Sequence, residues 1–314
     1  MTAAAGRPEL RNAPGKAIAY MLAAVATLTT MDAGVKWLTD DYSVPQIAFM
    51  RYLIGIVVAV AMAARMGGLT TLRTHRPGGH MLRSALNIGT MLTFYYALTR
   101  LPLADTIAIC YVAPLFMTVL SVLMLGERVG PRRWSAIAIG FAGVLLILQP
   151  GGAGEGTGVS AGALFALSSA LLYALTLITS RQLSATESSP TILFYYSIGV
   201  IVTMGMLMPW MWVMPRWADL GVILFVGIAG SFGQFFLNQA FRYGEVSLLA
   251  PLDYTGLIWA AGLGFVLWGD FPTVMVLIGA TVIVLASLYV ARREAILRRQ
   301  TAAADPPPPA APGE

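Results

Sequence analysis

The chain has 314 residues, of which 57% are hydrophobic and only 11% are charged. Soluble domains carry about a quarter charged residues, so this chain has too little charge to cover the surface of a water-soluble protein. The formal net charge of +5 does not indicate nucleic-acid binding, because nearly all Lys and Arg residues lie in short loops and tails beside apolar segments.

Apolar segments follow one another along the chain, and each is close to the roughly 20 residues that a helix needs to cross a bilayer. There are ten of them, at residues 17–38, 45–66, 80–100, 102–125, 132–149, 160–180, 190–213, 218–241, 246–268 and 272–291. We therefore predict an all-α integral membrane protein with ten transmembrane helices. The remaining parts are a basic tail at 1–16, a glycine-rich linker at 150–159, and a tail at 292–314 that is first basic and then proline-rich.

The distribution of Lys and Arg predicts the orientation. If the N-terminus is cytoplasmic, that side holds sixteen Lys and Arg residues, and the other side holds only Arg100 and Arg216. Cytoplasmic loops are enriched in Lys and Arg, so we expect both termini to be cytoplasmic.

An internal repeat relates residues 97–127 to residues 240–270. Without a gap, an offset of 143 positions aligns Ala97 with Ala240, Tyr111 with Tyr254, Phe116 with Trp259, Gly126 with Gly269 and Glu127 with Asp270. The register slips by four residues in the next loop and then aligns Gly140 with Gly279. A long repeat of apolar helices indicates one ancestral segment used twice.

The repeat divides the chain into residues 17–149, with helices 1–5, and residues 160–291, with helices 6–10. Because five is an odd number, the second half must enter the membrane upside down relative to the first. Inverted repeats of this kind are typical of transporters in which a central site is exposed to each side in turn.

Two sequence runs carry a family resemblance: LGERVGPRRWSAIAIGFAGVLLIL at 125–148 and NQAFRYGEVSLLAPLDYTGLIWA at 238–260. They resemble the drug/metabolite transporter superfamily, specifically its ten-helix EamA-type permeases. MDAGVKWL at 31–38 and TES at 186–188 are similar to a bacterial subgroup that includes permeases for riboflavin and for S-adenosylmethionine. The resemblance implies a multi-pass permease of the bacterial inner membrane, not an enzyme, and without a cofactor.

One position departs from this resemblance. Many relatives have proline after the ninth-helix tyrosine, where this chain has Thr255, Gly256 and Leu257, although the first copy keeps Pro114. Bending of the ninth helix is therefore expected to depend on Gly256.

Charged residues inside the first helix are the first candidates for a functional site. Asp32 and Lys36 stand four residues apart, on one face of the helix, so they can pair. A charge within a span costs about 2.5–3.5 kcal/mol on insertion scales, so it is normally functional or well paired. Two hypotheses remain open: contact with substrate or proton, or a structural pair in which Lys36 reaches the membrane surface.

Arg51 lies about two turns into the second helix. It can form an ion pair with Asp32 across the helix interface, or it can hold an anionic group of a substrate. When Pro45 is aligned with Pro190, Arg51 falls on Tyr196 and Lys36 falls on Arg181, so the two halves are not chemically equivalent. Such asymmetry suits a site that orients a polar molecule.

Asp253 is an acid within the ninth segment, and its counterpart in the first half is Cys110. An intramembrane acid is a functional candidate by default, and we hypothesise proton coupling through Asp253 or Asp32. Asp105, by contrast, is explained by the dipole of the helix that it opens. Glu127 and Asp270 follow glycines where helices stop and are interpreted as parts of structural turns.

Uncharged polar and aromatic residues complete the candidates. Asn87 lies in the third segment, and Gln234 and Asn238 share one face of the eighth. Most such groups only tie helices together. The aromatic residues expected to pack, and collectively able to stack on a flat ring, are Tyr95, Tyr96, Tyr111, Tyr173, Tyr195, Tyr196, Tyr254 and Trp259.

The sequence thus predicts a secondary transporter that moves a small polar metabolite by alternating access. Its expected partners are the substrate, the lipid bilayer and a proton as coupling ion. The first substrate hypothesis is riboflavin uptake. S-adenosylmethionine uptake and export of amino acids or drugs are alternatives within the same fold. A lipid-modifying enzyme would need a catalytic cluster, and with only two histidines and one cysteine we find neither that nor a metal site. A non-transporting membrane protein would have no need of the charges within its spans.

Overall fold

The protein is almost entirely helical. A computed structural model describes residues 13–66, 74, 77–125, 130–148, 160–184, 189–244 and 246–304. Within these ranges the chain forms thirteen α-helices and one 3-10 turn at Trp217–Asp219. The helices are α1 (Pro14–Leu38), α2 (Val44–Met66), α3 (Pro77–Leu98), α4 (Leu103–Cys110), α5 (Ala113–Leu125), α6 (Pro131–Leu148), α7 (Ala161–Ser184), α8 (Ser189–Gly205), α9 (Met208–Met211), α10 (Leu220–Tyr243), α11 (Val246–Asp253), α12 (Gly256–Trp268) and α13 (Val274–Ala304).

The helices have the length and composition of membrane spans. Six stretches of the described chain are long and apolar enough to cross a bilayer: Pro14–Leu38, Leu103–Met124, Pro131–Leu148, Ala161–Thr179, Trp217–Tyr243 and Val274–Arg293. Val44–Val58 and Phe194–Gly205 are shorter apolar helices. Large apolar side chains such as Leu123, Ile258 and Val266 are exposed on the outside of the bundle, as lipid contact requires. The protein is therefore a multi-pass membrane protein.

The C-terminal tail differs from its prediction. The last helix continues to Ala304, so the basic part of the predicted C-terminal tail is helical in the structure. The predicted linker at 150–159, the residue Glu127 and the proline-rich end beyond residue 304 lie outside the described residues.

The fourth and ninth predicted segments are each broken into two helices. Residues 111–112 separate α4 from α5, and residues 254–255 separate α11 from α12. Pro114 explains the first break, because it has no N–H to donate to the Cys110 carbonyl. The second break begins α12 at Gly256, where the sequence placed the bend. Both breaks fall at the same point of the repeat, at the aligned tyrosines Tyr111 and Tyr254.

The second break contains no proline, and its backbone hydrogen bonds show how the helix is interrupted. The Leu257 N–H donates to the Tyr254 carbonyl at 3.2 Å, and the Ile258 N–H donates to the Thr255 carbonyl at 3.0 Å. These bonds reach three residues back, as in a 3-10 turn, and therefore interrupt the regular α-helical pattern.

The two halves of the chain pack against each other in a reciprocal way. Helix α1 lies along α10, and α7 lies along α3. A methyl group built on Gly233 would lie 2.6 Å from Leu28 Cδ2, and one built on Gly89 would lie 3.1 Å from Leu172 Cδ1. Both contacts join a leucine of one half to a glycine of the other. Leu172 lies 144 positions after Leu28, and Gly233 lies 144 positions after Gly89. Glycines thus let both helix pairs approach closely.

The largest buried apolar cluster lies among α1, α2, α3, α4, α8 and α10. Leu38, Ile47, Leu98 and Leu103 are among its fully buried members. This cluster surrounds the first group of candidate residues and gives them fixed neighbours.

Residues 206–219 form a fixed segment between α8 and α10. The sequence predicted a helix up to residue 213, but α8 ends at Gly205. The Gln46 side chain donates from Nε2 to the Val213 carbonyl at 2.6 Å and accepts from the Val213 N–H at 3.0 Å. A buried side-chain amide therefore holds Val213 in place of helical partners.

A second contact fixes the same segment to the loop between α1 and α2. The Tyr42 hydroxyl donates to Asp219 at 2.6 Å and accepts from the Arg216 N–H at 3.0 Å. Burial and the hydrogen bond to Asp219 raise the pKa of the Tyr42 hydroxyl. Tyr42 therefore stays protonated and remains a donor at neutral pH.

Candidate functional site

Arg51 is the centre of the first group of candidate residues. Its guanidinium donates a hydrogen bond to the Tyr95 hydroxyl, and its Cζ lies 5.0 Å from the centre of the Tyr52 ring. Tyr95 is 1% exposed, so the hydroxyl that holds Arg51 is itself fixed in the core. A guanidinium has five N–H donors, and within the described chain Arg51 makes only this side-chain hydrogen bond. The remaining donors are free to bind a ligand.

The backbone of α10 supports Arg51 from another side. A methyl group built on Gly230 would lie 3.0 Å from both Nε and Nη2 of Arg51, and 3.1 Å from Met31 Sδ. A side chain at this position would crowd the guanidinium, which would have to shift to make room. Gly230 therefore positions Arg51.

Asp32 lies within electrostatic range of Arg51 without forming an ion pair with it. The Asp32 carboxylate is half-buried and feels the charge of Arg51. The described residues show no ion pair within 4.0 Å between the two groups and no hydrogen bond to the carboxylate. The structure thus brings Asp32 and Arg51 together, as the sequence suggested, but leaves each with unused hydrogen-bonding capacity.

Lys36 has different partners from those expected. Its Nζ donates to the carbonyl oxygens of Leu98 at 3.0 Å and Leu101 at 2.8 Å. It also lies 5.5 Å from the centre of the Trp268 ring. A cation is favourable beside the last carbonyls of a helix. Leu98 is the last residue of α3, and Leu101 lies in the loop that follows it. The geometry supports the structural hypothesis for Lys36 and separates it from Asp32.

Replacing Lys36 should therefore act on stability. Lys36→Met leaves two carbonyls without their charged donor, and each such bond contributes about 1.5–3 kcal/mol. We expect a lower melting temperature in detergent, measured by differential scanning fluorimetry. Lys16→Met is the matched control, because Lys16 is exposed at the other end of the same helix. An unchanged melting temperature for Lys36→Met would contradict the structural role.

A second group of residues joins the two helix breaks. The Tyr111 hydroxyl donates to the backbone carbonyl of Asp253 at 2.9 Å, and the rings of Tyr111 and Tyr254 meet edge to face at 4.9 Å. A methyl group built on Gly256 would lie 2.6 Å from the Tyr111 hydroxyl oxygen. Gly256 therefore permits this contact, and the two equivalent breaks touch each other through it.

The Asp253 side chain takes no part in that hydrogen bond, which uses the backbone carbonyl. It is exposed, has no hydrogen-bond partner in the described chain, and acts electrostatically on Tyr111 and on Tyr173 of α7. An acid at membrane depth normally faces the bundle interior or a water-filled cavity rather than lipid. This position suits a group that contacts a substrate or a proton.

The remaining amide candidates are placed differently from one another. Asn87 donates from Nδ2 to the Arg83 carbonyl at 3.1 Å, so its amide is used within its own helix. Gln234 is half-buried and lies one turn after Gly230 on α10, whereas Asn238 is exposed. Neither Gln234 nor Asn238 has a side-chain hydrogen bond within the described ranges.

The structure adds residues that the sequence did not single out. The Tyr52 hydroxyl donates to the Tyr196 hydroxyl at 2.8 Å, and the two rings are 5.0 Å apart. Tyr52 directly follows Arg51, which was the available signal, whereas no local pattern pointed to Gly230. Among the described residues no group of three His, Cys, Asp or Glu side chains could hold a metal ion.

A multi-pass helical bundle with two touching helix breaks and unpaired charges at membrane depth has the features of a membrane transporter. The sequence comparison agrees and identifies the family. The chain belongs to the EamA-like transporter family, which matches residues 15–149 and again residues 160–292. It follows that a small molecule is the substrate and that the helices lie in a lipid bilayer.

Named relatives transport different substrates. The riboflavin transporter of Rhizobium johnstonii is 28% identical over 278 residues, which cover 88% of this chain and 90% of the relative. The S-adenosylmethionine uptake transporter of Rickettsia prowazekii is 27% identical, with 88% and 92% covered. The pseudopaline exporter CntI of Pseudomonas aeruginosa is 28% identical, with 87% and 95% covered. This chain is thus about equally similar to a riboflavin transporter, an S-adenosylmethionine uptake transporter and a pseudopaline exporter.

A crystal structure of another protein has the same overall arrangement of helices. It superposes with a TM-score of 0.62 at 19% sequence identity, and the match covers 90% of this chain and 97% of the other. At this identity the likeness concerns the fold alone.

Proposed function

We propose that this protein is a secondary transporter that takes up riboflavin across the bacterial inner membrane by alternating access. In this proposal ten transmembrane helices form two inverted halves, residues 17–149 and 160–291, with both termini in the cytoplasm. The observation that carries the proposal is the contact of two equivalent helix breaks through Tyr111 and the Asp253 carbonyl. Discontinuous helices that meet at mid-membrane are typical of transporters with central sites.

Riboflavin is favoured by the aromatic residues around the charged pair. Tyr52 and Tyr196 lie beside Arg51 and provide ring surface for a flat heterocycle. The similarity to a riboflavin transporter over nine-tenths of that relative's length supports the same substrate.

S-adenosylmethionine is the second candidate, and the acids favour it. Asp32 and Asp253 both lack hydrogen-bond partners in the described structure, and a cationic substrate would be attracted to them. The S-adenosylmethionine uptake transporter among the relatives is about as similar as the riboflavin transporter.

Proton coupling is part of the proposal. An acid that binds and releases a proton within the membrane can couple transport to the proton gradient, and Asp32 and Asp253 are the candidates. If both are replaced by Asn and the pH response of uptake is unchanged, this part of the proposal fails.

The test of substrate and direction is uptake of radiolabelled riboflavin by a flavin-auxotrophic bacterium that expresses this chain. Unlabelled riboflavin, S-adenosylmethionine and amino acids serve as competitors, and immunoblots of membranes verify the amount of protein. We expect saturable uptake that only flavins inhibit. Absence of uptake from protein present in the membrane would refute riboflavin import, and inhibition by S-adenosylmethionine would favour the second candidate.

A further inference from the structure

We propose that Asp32 and Arg51 bind the imide edge of the flavin ring system. This inference rests on the riboflavin transport proposed above and adds the part of the molecule that is recognised, together with the residues that recognise it. It begins from an unusual feature of the site: Met31, the neighbour of Asp32 on α1, lies with the Arg51 guanidinium beside Gly230, and yet Asp32 and Arg51 form no ion pair within 4.0 Å.

The hydrogen-bonding groups of the pair are complementary to an imide. The pyrimidine ring of the flavin presents two carbonyl oxygens, O2 and O4, on either side of the N3–H group, which gives the order acceptor, donor, acceptor. A carboxylate only accepts hydrogen bonds, and a guanidinium only donates them. Asp32 can therefore accept from N3–H while Arg51 donates to a neighbouring carbonyl. A site with one carboxylate and one guanidinium can therefore recognise this edge by direct hydrogen bonds.

The charge of the pair also fits a neutral ligand. Asp32 and Arg51 together have no net charge, so a neutral imide can bind between them without leaving an uncompensated charge in the membrane. Hydrogen bonds to charged groups are stronger than those between neutral groups, which offsets the loss of water from the ligand.

The surroundings keep the guanidinium in position for such a contact. The buried Tyr95 hydroxyl accepts a hydrogen bond from Arg51. The backbone at Gly230 and the Met31 sulfur lie against another side of the guanidinium. A group fixed in this way loses little conformational freedom when a ligand binds. The donors that remain have no acceptor within the described chain, and Asp32 of α1 is close enough to act on the guanidinium electrostatically.

Aromatic residues next to the pair extend the site along the ring system. The Tyr52 ring lies under the Arg51 guanidinium, and Tyr196 meets Tyr52 edge to face. A tricyclic ligand whose imide edge contacts Arg51 would therefore place its adjoining rings near these tyrosines. Planar rings and aromatic side chains pack favourably in offset or edge arrangements.

Competition between flavin analogues tests the inference. Purified protein is reconstituted in liposomes, and uptake of radiolabelled riboflavin is inhibited by N3-methylriboflavin or by 5-deazariboflavin. N3-methylriboflavin has lost the N–H donor, whereas 5-deazariboflavin replaces N5 by carbon and keeps O2, N3–H and O4. We expect N3-methylriboflavin to inhibit about tenfold more weakly than riboflavin, or worse, because a hydrogen bond to a charged acceptor is lost. We expect 5-deazariboflavin to inhibit as riboflavin does.

Variants assign the effect to Asp32. In Asp32→Ala the difference between riboflavin and N3-methylriboflavin should shrink to about twofold, because the acceptor that distinguishes them is gone. Asp40→Ala is the matched control, since Asp40 is an exposed acid just beyond the same helix. It should keep the full difference. The comparison of analogues on the unaltered protein stands even if Asp32→Ala does not fold.

The outcomes separate this inference from the proposed function. Riboflavin uptake with equal inhibition by both analogues would refute the imide site and leave riboflavin transport standing. Inhibition by amino acids that disappears in Asp32→Ala would show instead that the pair binds an ammonium and a carboxylate. No riboflavin uptake by the unaltered protein would overturn both proposals.

Discussion

Replacing Arg51 with Gln is expected to lower riboflavin uptake by up to about 100-fold, because a hydrogen bond to a charged group contributes about 1.5–3 kcal/mol. The variant removes the donors that face the substrate, and it leaves the Asp32 carboxylate without the nearby positive charge that it feels in the native protein. The measurement is the initial rate of uptake into proteoliposomes, normalised to the amount of folded protein.

Two further variants make this test specific. Arg51→Lys keeps the charge but loses the planar arrangement of donors, so we expect only partial activity. Arg100→Gln removes an exposed arginine outside the site and should transport normally. Near-normal uptake by Arg51→Gln would show that Arg51 has no contact with the substrate.

A double variant separates binding from stability. Asp32→Asn combined with Arg51→Gln removes both charges, so it should melt at a higher temperature than Arg51→Gln alone, because no unpaired charge remains. It should nevertheless remain inactive. Recovery of uptake in the double variant would mean that the pair serves only the fold.

Gly230→Leu is expected to reduce uptake by about tenfold to 100-fold, with a modest loss of stability of about 1–3 kcal/mol from overpacking. The new side chain would begin 3.0 Å from Nε and Nη2 of Arg51 and must displace the guanidinium. Arg51 would then lose its alignment with Tyr95 and Asp32, although every group of the proposed site is still present.

The control for this variant lies on the same helix. A methyl group on Gly221 would have no neighbour within 4 Å, so Gly221→Leu makes the same substitution in open space. It should retain both uptake and melting temperature. If Gly221→Leu and Gly230→Leu lose uptake equally, the effect belongs to the helix as a whole and not to the position of Arg51.

Much of the fold could be read from the sequence. Low charge and long apolar segments indicated membrane helices, because the cost of burying charge in lipid restricts which residues a span can contain. The alignment of Tyr111 with Tyr254 also came from the sequence alone, and both helices are interrupted at these residues in the structure. The family followed from runs of sequence and is confirmed by the family match over both halves.

The partners of the charged residues could not be read in this way. Asp32 and Lys36 stand one turn apart, so helical spacing alone allowed them to pair, but Lys36 binds carbonyls at the end of α3. That alternative depends on the distance between α1 and α3, which no pattern within either helix contains. The seventh segment illustrates the same limit, because Gln46 of another helix fixes Val213.

The sequence by itself therefore determined that this is a helical membrane protein made of two related halves, since hydrophobicity, charge placement and repetition are properties of local stretches. Only the tertiary structure decided which groups form the candidate site. Arg51 is held by Tyr95 of α3 and by the backbone at Gly230 of α10, and Asp32 of α1 completes the group. Contacts between residues far apart in the chain arise from helix packing, and a glycine matters there through the space that it leaves.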